Sequence, residues 1–219
     1  MFPVAERFVS INGEGKKAGE LAVFVRFRQC NLRCTYCDTQ WANSDDCPAE
    51  MMSAEDISDY VKSTGVTNVT LTGGEPLLQN EIYDLIEKLM VNGHNVEIET
   101  NGSISIEKLS QKSFRPDFTL DYKLPSSCME SFMLTENYKY LSGNDVVKFV
   151  VGNREDLKKA LEITKTFALT EKCTVYLSAV FGKITPAEIV EFMKEKNLNK
   201  IRLQLQMHKF IWNPDLKGV

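Results

Sequence analysis

Cys30, Cys34 and Cys37 stand in the stretch Gln29-Cys30-Asn31-Leu32-Arg33-Cys34-Thr35-Tyr36-Cys37-Asp38-Thr39, a C-x3-C-x2-C spacing. Thiolates bind iron and zinc well. A [4Fe–4S] cluster normally takes four cysteine ligands, so three leave one iron with an open position for a small molecule. Zinc is the rival reading, and it wants a fourth ligand close by. No second Cys-x2-Cys and no histidine pair supplies one, because His94 and His208 are the only histidines. Cys47, followed by Pro48, is either that ligand on an unusual spacing or a loop thiol. Cys128 is isolated, and Cys173 opens an apolar stretch as a core thiol.

The chain that must position these thiols has 219 residues, enough for one sizeable core. Hydrophobic residues make up 43% and charged residues 26%, as in ordinary globular chains. No apolar run reaches the length of a membrane span. The segment Met1 to Asn12 has no basic stretch followed by an apolar one, so the sequence predicts no signal peptide and a reducing cytoplasmic setting. Clustered cysteines there point to a metal or redox site rather than disulfides. A net charge of −4 argues against general nucleic-acid binding.

Strands and helices alternate along the chain. The pattern predicts a strand over Leu21 to Arg28, running directly into the cysteine loop. Ser53-Ala54-Glu55-Asp56 reads as a capping box opening a helix to about Ser63. A strand over Val66 to Leu71 ends in Thr72-Gly73-Gly74-Glu75-Pro76, and Pro76 starts a helix to about Asn92. Further strands are expected at 95–98, 117–121, 145–151, 174–180 and 201–206. Helices are expected near Ile106, over Arg154 to Thr166, and from the Thr185 cap to Lys196. This alternation implies a parallel sheet with helices outside. A closed eight-unit barrel usually needs about 250 residues, so an incomplete α/β barrel fits better, with a doubly wound open sheet as the alternative. In both folds the active site lies at the carboxyl ends of the strands. Those ends carry the cysteine loop, the Gly-Gly-Glu-Pro turn and Glu99-Thr100-Asn101-Gly102.

Two strands carry polar residues on one parity. Asp117, Thr119, Asp121 and Lys123 alternate with Phe118, Leu120 and Tyr122. Arg202, Gln204, Gln206 and His208 alternate with Ile201, Leu203, Leu205 and Met207. A parallel strand covered on both sides should be apolar on both. One side therefore faces a wet pocket, or these are solvated edge strands.

With C-x3-C-x2-C after one strand and Gly73-Gly74-Glu75-Pro76 after the next, the chain resembles the radical S-adenosylmethionine (SAM) superfamily. That resemblance implies an α/β incomplete (β/α)6-type barrel and a three-cysteine [4Fe–4S] cluster whose open iron binds SAM. One electron would cleave SAM to methionine and a 5′-deoxyadenosyl radical that takes hydrogen from a substrate. A closer resemblance, over most of the chain, is to the 7-carboxy-7-deazaguanine synthase family of 7-deazapurine (queuosine) biosynthesis. It rests on Ile11-Asn12-Gly13-Glu14-Gly15, on Phe24-Val25-Arg26 with the cysteine motif running into Asp38-Thr39, and on Gln206-Met207-His208-Lys209 with Trp212 after it.

The resemblance implies a single radical SAM domain over 1–219, with a cluster loop at 29–39 and a C-terminal substrate-binding segment at 202–219. It implies a lyase acting on a pterin, with Ile11, Asn12, Gly13, Glu14, Arg26, Thr72 and His208 toward the substrate. Glu14, Arg26 and His208 would be catalytic, Arg26 gripping a carboxylate in bidentate fashion. Tyr36, Cys37, Asp38, Gly73, Gly74 and Glu75 would touch SAM, with Asp121, Tyr122 and Lys123 where the family often has Ser-Pro-Lys. Ser178 stands where many relatives have Gln-Pro and another SAM contact. Thr39 would be a Mg2+ ligand, since a hard cation wants oxygen. A flavodoxin- or ferredoxin-type donor, a homodimer and no membrane or nucleic-acid partner complete the expectation. Plainer uses stand beside these: Gly13 and Gly15 as turn residues, Thr39 as a backbone cap, Glu75 as a first-turn helix acid, and Lys123 as a solvated charge. A glycyl-radical-enzyme activase of the same superfamily is the competing activity.

Overall fold

The computed structural model describes residues 1–44, 46–213 and 216–219. Strands β1 (Phe2–Ile11), β2 (Leu21–Phe27) and β3 (Glu50–Met52) begin the sheet, with β1 antiparallel to both. Then come α1 (Ala54–Thr64), β4 (Asn68–Gly73), α2 (Ile82–Val91), β5 (Asn95–Thr100), α3 (Glu107–Ser110) and β6 (Asp117–Tyr122). β7 (Val146–Val151), α4 (Arg154–Thr166), β8 (Thr174–Ala179), α5 (Pro186–Glu195), β9 (Ile201–Gln204) and α6 (His208–Ile211) complete the order. The strand order is β3-β1-β2-β4-β5-β6-β7-β8-β9, and every neighbour from β2 to β9 is parallel. An order that never reverses sends every right-handed crossover to the same face, so the sheet curls toward a barrel. The expected incomplete barrel is the architecture found, and the doubly wound alternative is not.

The two faces differ in chemistry. Val69, Leu71, Ile98, Phe118, Leu120, Val147, Phe149, Val175 and Leu177 form the core with α2 residues Leu85, Ile86 and Leu89. Each such side chain contributes about 1.5–3 kcal/mol by leaving water. Residues of the other parity, Thr70, Thr72, Glu97, Glu99, Thr119, Asp121, Lys148 and Ser178, turn to the concave side. The alternation expected for β6 is present and recurs in β4, β5 and β8, while β7 places the single polar residue Lys148 on that face.

The helix starts follow local chemistry. Ser53 and Asp56 form the expected reciprocal cap on α1, and Gly65 closes it at φ +69°. Thr185 and Glu188 do the same for α5, with Pro186 first.

Four expectations need correction. β1 and β3 carry no strand in the sequence reading. In β1 the register with β2 shifts between Val4 and Glu6. An extra residue there moves the even positions from the core face (Phe2, Val4) to the concave face (Glu6), so no single period runs through the strand. The helix expected from Pro76 is two pieces: a 3-10 turn at Pro76–Leu78, then α2. Glu75 accepts from Leu77 N and tightens that turn, and Gln79 is extended. β9 stops at Gln204, so His208 belongs to α6 rather than to a strand. The C-terminal segment expected at 202–219 includes Pro214 and Asp215, which lie outside the described residues.

Candidate active site

The carboxyl ends of the parallel strands surround a cavity of about 630 Å³, within the ordinary size for a small-molecule site. The β1–β2 loop closes its seam toward β9. Met207 N donates to Gly13 O (3.0 Å), and Gly15 N donates to Gln204 Oε1 (2.7 Å).

Cys30, Cys34 and Cys37 all face this cavity. Cys30 Sγ accepts from Leu32 N (3.4 Å) and Asn101 Nδ2 (3.5 Å), and Asn43 Nδ2 donates to Cys37 Sγ (3.8 Å). Burial pushes the Cys30 and Cys34 thiols above their usual range, while Lys123 pulls both back. Asn43 Oδ1 is buried without a hydrogen-bond partner. The donor set fits an iron–sulfur cluster: three sulfurs share one cavity, and amide N–H groups point at two of them, as cluster sulfurs favour. Among the described residues no three His, Cys, Asp or Glu side chains are gathered as they would be around a single ion. Cys47 is buried, donates to Pro48 O (3.3 Å) and does not reach the cavity. Thr39 Oγ1 lies 3.6 Å from Cys37 Sγ on the cavity wall.

The Gly-Gly turn is pressed against the root of the cysteine loop. Gly74 N donates to Phe27 O (3.0 Å) and Glu75 N to Gln29 O (2.9 Å). A Cβ on Gly74 would overlap the Gln29 carbonyl, and Gly73 sits at φ +132° with a Cβ position filled by Phe27 backbone. Both glycines also line the cavity. Glu75, expected at the cofactor, is 0% exposed and lies behind that wall. Its carboxylate accepts from Leu77 N (3.0 Å), Thr100 Oγ1 (2.8 Å) and Asn101 N (2.7 Å). It braces Asn101, which reaches Cys30. Burial raises its pKa to about 7 despite these donors.

The floor is a charged array. Lys123 Nζ meets Asp121 Oδ2 at 2.5 Å. Lys148 Nζ lies 3.3 Å from Glu14 Oε2 and 3.4 Å from Asp121 Oδ1. Glu14 also accepts from Ser178 Oγ (3.3 Å) and Gln206 Nε2 (3.5 Å). Burial favours neutral Asp121, but Lys123 and Lys148 outweigh it and hold the carboxyl below its usual range. Burial likewise opposes the Lys148 ammonium, and Asp121, Glu14 and Glu99 overcome it. Glu99 accepts from Thr72 Oγ1 (2.8 Å) and is raised by burial. Burial lowers the His208 pKa. A Cβ on Gly13 would come 2.6 Å from His208 Nδ1, so the glycine lets that ring approach.

The Radical SAM superfamily model matches residues 24–115. A 7-carboxy-7-deazaguanine synthase from Clostridium acetobutylicum is 54% identical, covering 100% of this chain and 99% of the relative. One from Koribacter versatilis is 33% identical over 99% of each. The chain belongs to the 7-carboxy-7-deazaguanine synthase family. The crystal structure of QueE from Escherichia coli shares its fold, with a TM-score of 0.76 and 22% identity over 94% of each chain. The activase reading is thereby set aside, since the full-length relatives carry the synthase name.

Against the residues expected from the synthase family, the structure gathers Ile11, Gly13, Glu14, Arg26, Tyr36, Asp38, Thr39, Thr72, Gly73, Gly74, Asp121, Lys123 and His208 on the cavity with the three cysteines. Four expected residues are elsewhere. Glu75 is the brace described above. Tyr122 has the opposite strand parity to Asp121; it packs on Phe149 and donates to Glu130. Ser178 is buried behind Glu14 and also donates to Gln204 O (3.1 Å). The Asn12 side chain turns under the floor, where Oδ1 accepts from Thr70 Oγ1 (2.9 Å) and Nδ2 is unpartnered. Arg26 reaches the cavity already paired, Nε to Glu6 Oε1 at 2.7 Å.

Sequence reasoning missed Glu6 and Lys148, and it placed Glu99 and Asn101 at the active-site end of their strand without a role for either. Lys148 had a signal, a lone charge inside Val146-Val147-Lys148-Phe149-Val150-Val151. Glu6 had none, because its strand was not recognised. The C-terminal segment does bear on the site: Leu216, Lys217 and Val219 line the cavity, and Lys217 Nζ sits 4.0 Å from the Trp41 ring centroid.

Proposed function

We propose that this chain converts 6-carboxy-5,6,7,8-tetrahydropterin to 7-carboxy-7-deazaguanine and ammonia, a carbon–nitrogen lyase reaction of 7-deazapurine biosynthesis. The full-length relation to the synthase family supports the substrate. The observation that carries the reading is one cavity shared by three thiols, a Gly-Gly wall and the side chains of Glu14, Arg26 and His208. Cys30, Cys34 and Cys37 would hold a [4Fe–4S] cluster, with Gly73, Gly74, the Tyr36–Asp38 backbone, Asp121 and Lys123 toward SAM. Together these cofactors supply, when bound, the radical that takes the substrate C6 hydrogen.

The chain's own residues bind and orient. Glu14, held by Ser178, Gln206 and Lys148, accepts from the aminopyrimidinone edge. Arg26 meets the substrate carboxylate with its guanidinium fork, its Nε fixed by Glu6. His208, whose pKa burial lowers, offers in its neutral form one nitrogen as donor and one as acceptor. Thr39 would give its hydroxyl to a Mg2+ beside the substrate. We read residues 1–219 as one domain, acting in the cytoplasm as a homodimer with a flavodoxin- or ferredoxin-type donor. No described helix is long and apolar enough to cross a membrane.

The test is anaerobic turnover of that pterin by cluster-loaded protein with SAM, Mg2+ and a reductant. Formation of 7-carboxy-7-deazaguanine with ammonia is expected. An intact cluster that cleaves SAM without forming this product rejects the substrate.

A further inference from the structure

Lys148 is the only charged residue of β7, whose remaining residues are all Val or Phe. It is 7% exposed. A buried ammonium needs close partners to stay charged. Lys148 has two, and they belong to different parts of the site. Glu14 comes from the β1–β2 loop, on the wall read as the substrate side, 3.3 Å away. Asp121 comes from β6, on the side read as facing SAM, 3.4 Å away. Asp121 in turn holds Lys123 at 2.5 Å, and Glu14 is held by Gln206 on the same Oε2 that meets Lys148 and by Ser178 on Oε1. The ammonium is therefore the middle link of a run of hydrogen bonds and ion pairs from Gln206 to Lys123 across the cavity floor, and its contact with Asp121 is an ion pair to an Oδ1 that has no hydrogen-bond partner. Neither carboxylate can swing without loosening its hold on Lys148. Glu99 adds a third negative group that favours the ammonium.

We propose that Lys148 is a positioning residue that ties Glu14 on the pterin side to Asp121 on the SAM side, so that the two ligand sites are formed together. The inference rests on the pterin and SAM reading above, and its test separates the two. Unreduced, cluster-loaded protein does not turn over, so SAM binding and pterin binding can each be measured on it by anaerobic calorimetry.

Lys148→Met is expected to weaken both ligands, each by roughly tenfold or more, while Lys148→Arg recovers most of that loss. The double variant Lys148→Met/Glu14→Gln should bind the pterin no worse than the weaker single variant, because both changes break one link. Loss confined to one ligand, or a lowered melting temperature with both affinities unchanged, overturns the proposal. Additive losses in the double variant overturn it as well. If Lys148→Met does not accumulate folded, the link is read from its ends. Glu14→Gln must then weaken SAM, and Asp121→Asn must weaken the pterin, each by about threefold or more; no change in either overturns it. Wild-type protein that binds SAM but not the pterin rejects the substrate reading instead. In that case the SAM arm decides for Lys148, with Lys148→Met and Glu14→Gln still required to weaken SAM.

Discussion

The cluster wall and the floor of the same cavity are built by opposite means. The wall is made by backbone pressed on backbone. Gly73 and Gly74 lie against Phe27 and Gln29, and the side chains that matter most come from one short loop. The floor is made by side chains, with Glu14, Glu99, Asp121, Lys148 and Ser178 each arriving from a different strand or loop. The wall fails through sterics and the floor through electrostatics. A substitution in one should therefore have a different signature from a substitution in the other.

The largest effect is expected at the wall. In Gly74→Ala the new methyl meets the Gln29 carbonyl, a backbone atom with no rotamer to yield. Overpacking of this kind costs about 1–3 kcal/mol or more. It would push the cysteine loop off its strand, so most bound iron should be lost and the melting temperature should fall by roughly 5–10 °C. Iron and sulfide per chain after reconstitution, with a thermal melt, check this. A variant with full iron would mean that the wall tolerates a side chain.

A floor substitution should leave the cluster in place. Glu14→Gln keeps the shape but removes the charge facing Lys148 and the strong acceptor for the substrate. Its kcat/KM should fall by about 10²-fold, near the roughly 2–4 kcal/mol of a buried charged hydrogen-bonded group. Iron content and the cluster absorption should match wild type. Iron loss in Glu14→Gln would erase the distinction between the two regions.

That distinction also explains what could be read from the chain. The wall was legible because its chemistry is local: cysteines at fixed spacing and two glycines before a proline. The parallel strands were legible because their outer parity is unbroken, as in Phe118, Leu120 and Tyr122. β1 was not, since the shift between Val4 and Glu6 moves its apolar positions to the other face. Glu6 was lost with it. The family resemblance puts Glu75 at the cofactor; only the fold reveals that its carboxylate is used up on Leu77, Thr100 and Asn101. Lys148 pairs with residues far away in sequence, and no local pattern encodes such a meeting.

Stability against pH compares the two regions through one buried carboxyl in each. Burial raises Glu75 in the wall to about 7, and burial followed by the neighbouring Glu99 raises Glu97 under the floor to about 7, both from 4.5. Below 4.5 both groups are protonated in the folded and unfolded chain alike. Between 4.5 and 7 the unfolded chain releases protons that the folded chain keeps, so stability falls as pH rises through this window and levels off above it. Each group accounts for about 3 kcal/mol. Glu97→Gln keeps an acceptor for Thr119 Oγ1, now 2.6 Å from Glu97 Oε1. It should make the fall in denaturation midpoint between pH 5 and 7 shallower without abolishing it, because Glu75 and Glu99 are raised by burial as well. An unchanged slope would mean that Glu97 titrates like an exposed acid.

The smallest effect is expected where wall and C-terminal segment meet. Lys217 lies over the Trp41 ring at 4.0 Å, and Trp41 sits in the turn at Gln40–Asn43 that follows the cluster loop. A cation–π contact at a partly exposed site is worth about 0.5–1 kcal/mol. Lys217→Ala should therefore raise KM for the pterin by about two- to fivefold, with kcat and iron content unchanged, because the contact covers the cavity without touching the thiols. Lys217→Arg, which keeps a cation able to stack on the ring, should restore the wild-type KM. An equal loss in both variants would mean that the C-terminal residues act through packing rather than through charge. A fall in kcat alone would place this segment among the groups that serve the reaction rather than ligand retention.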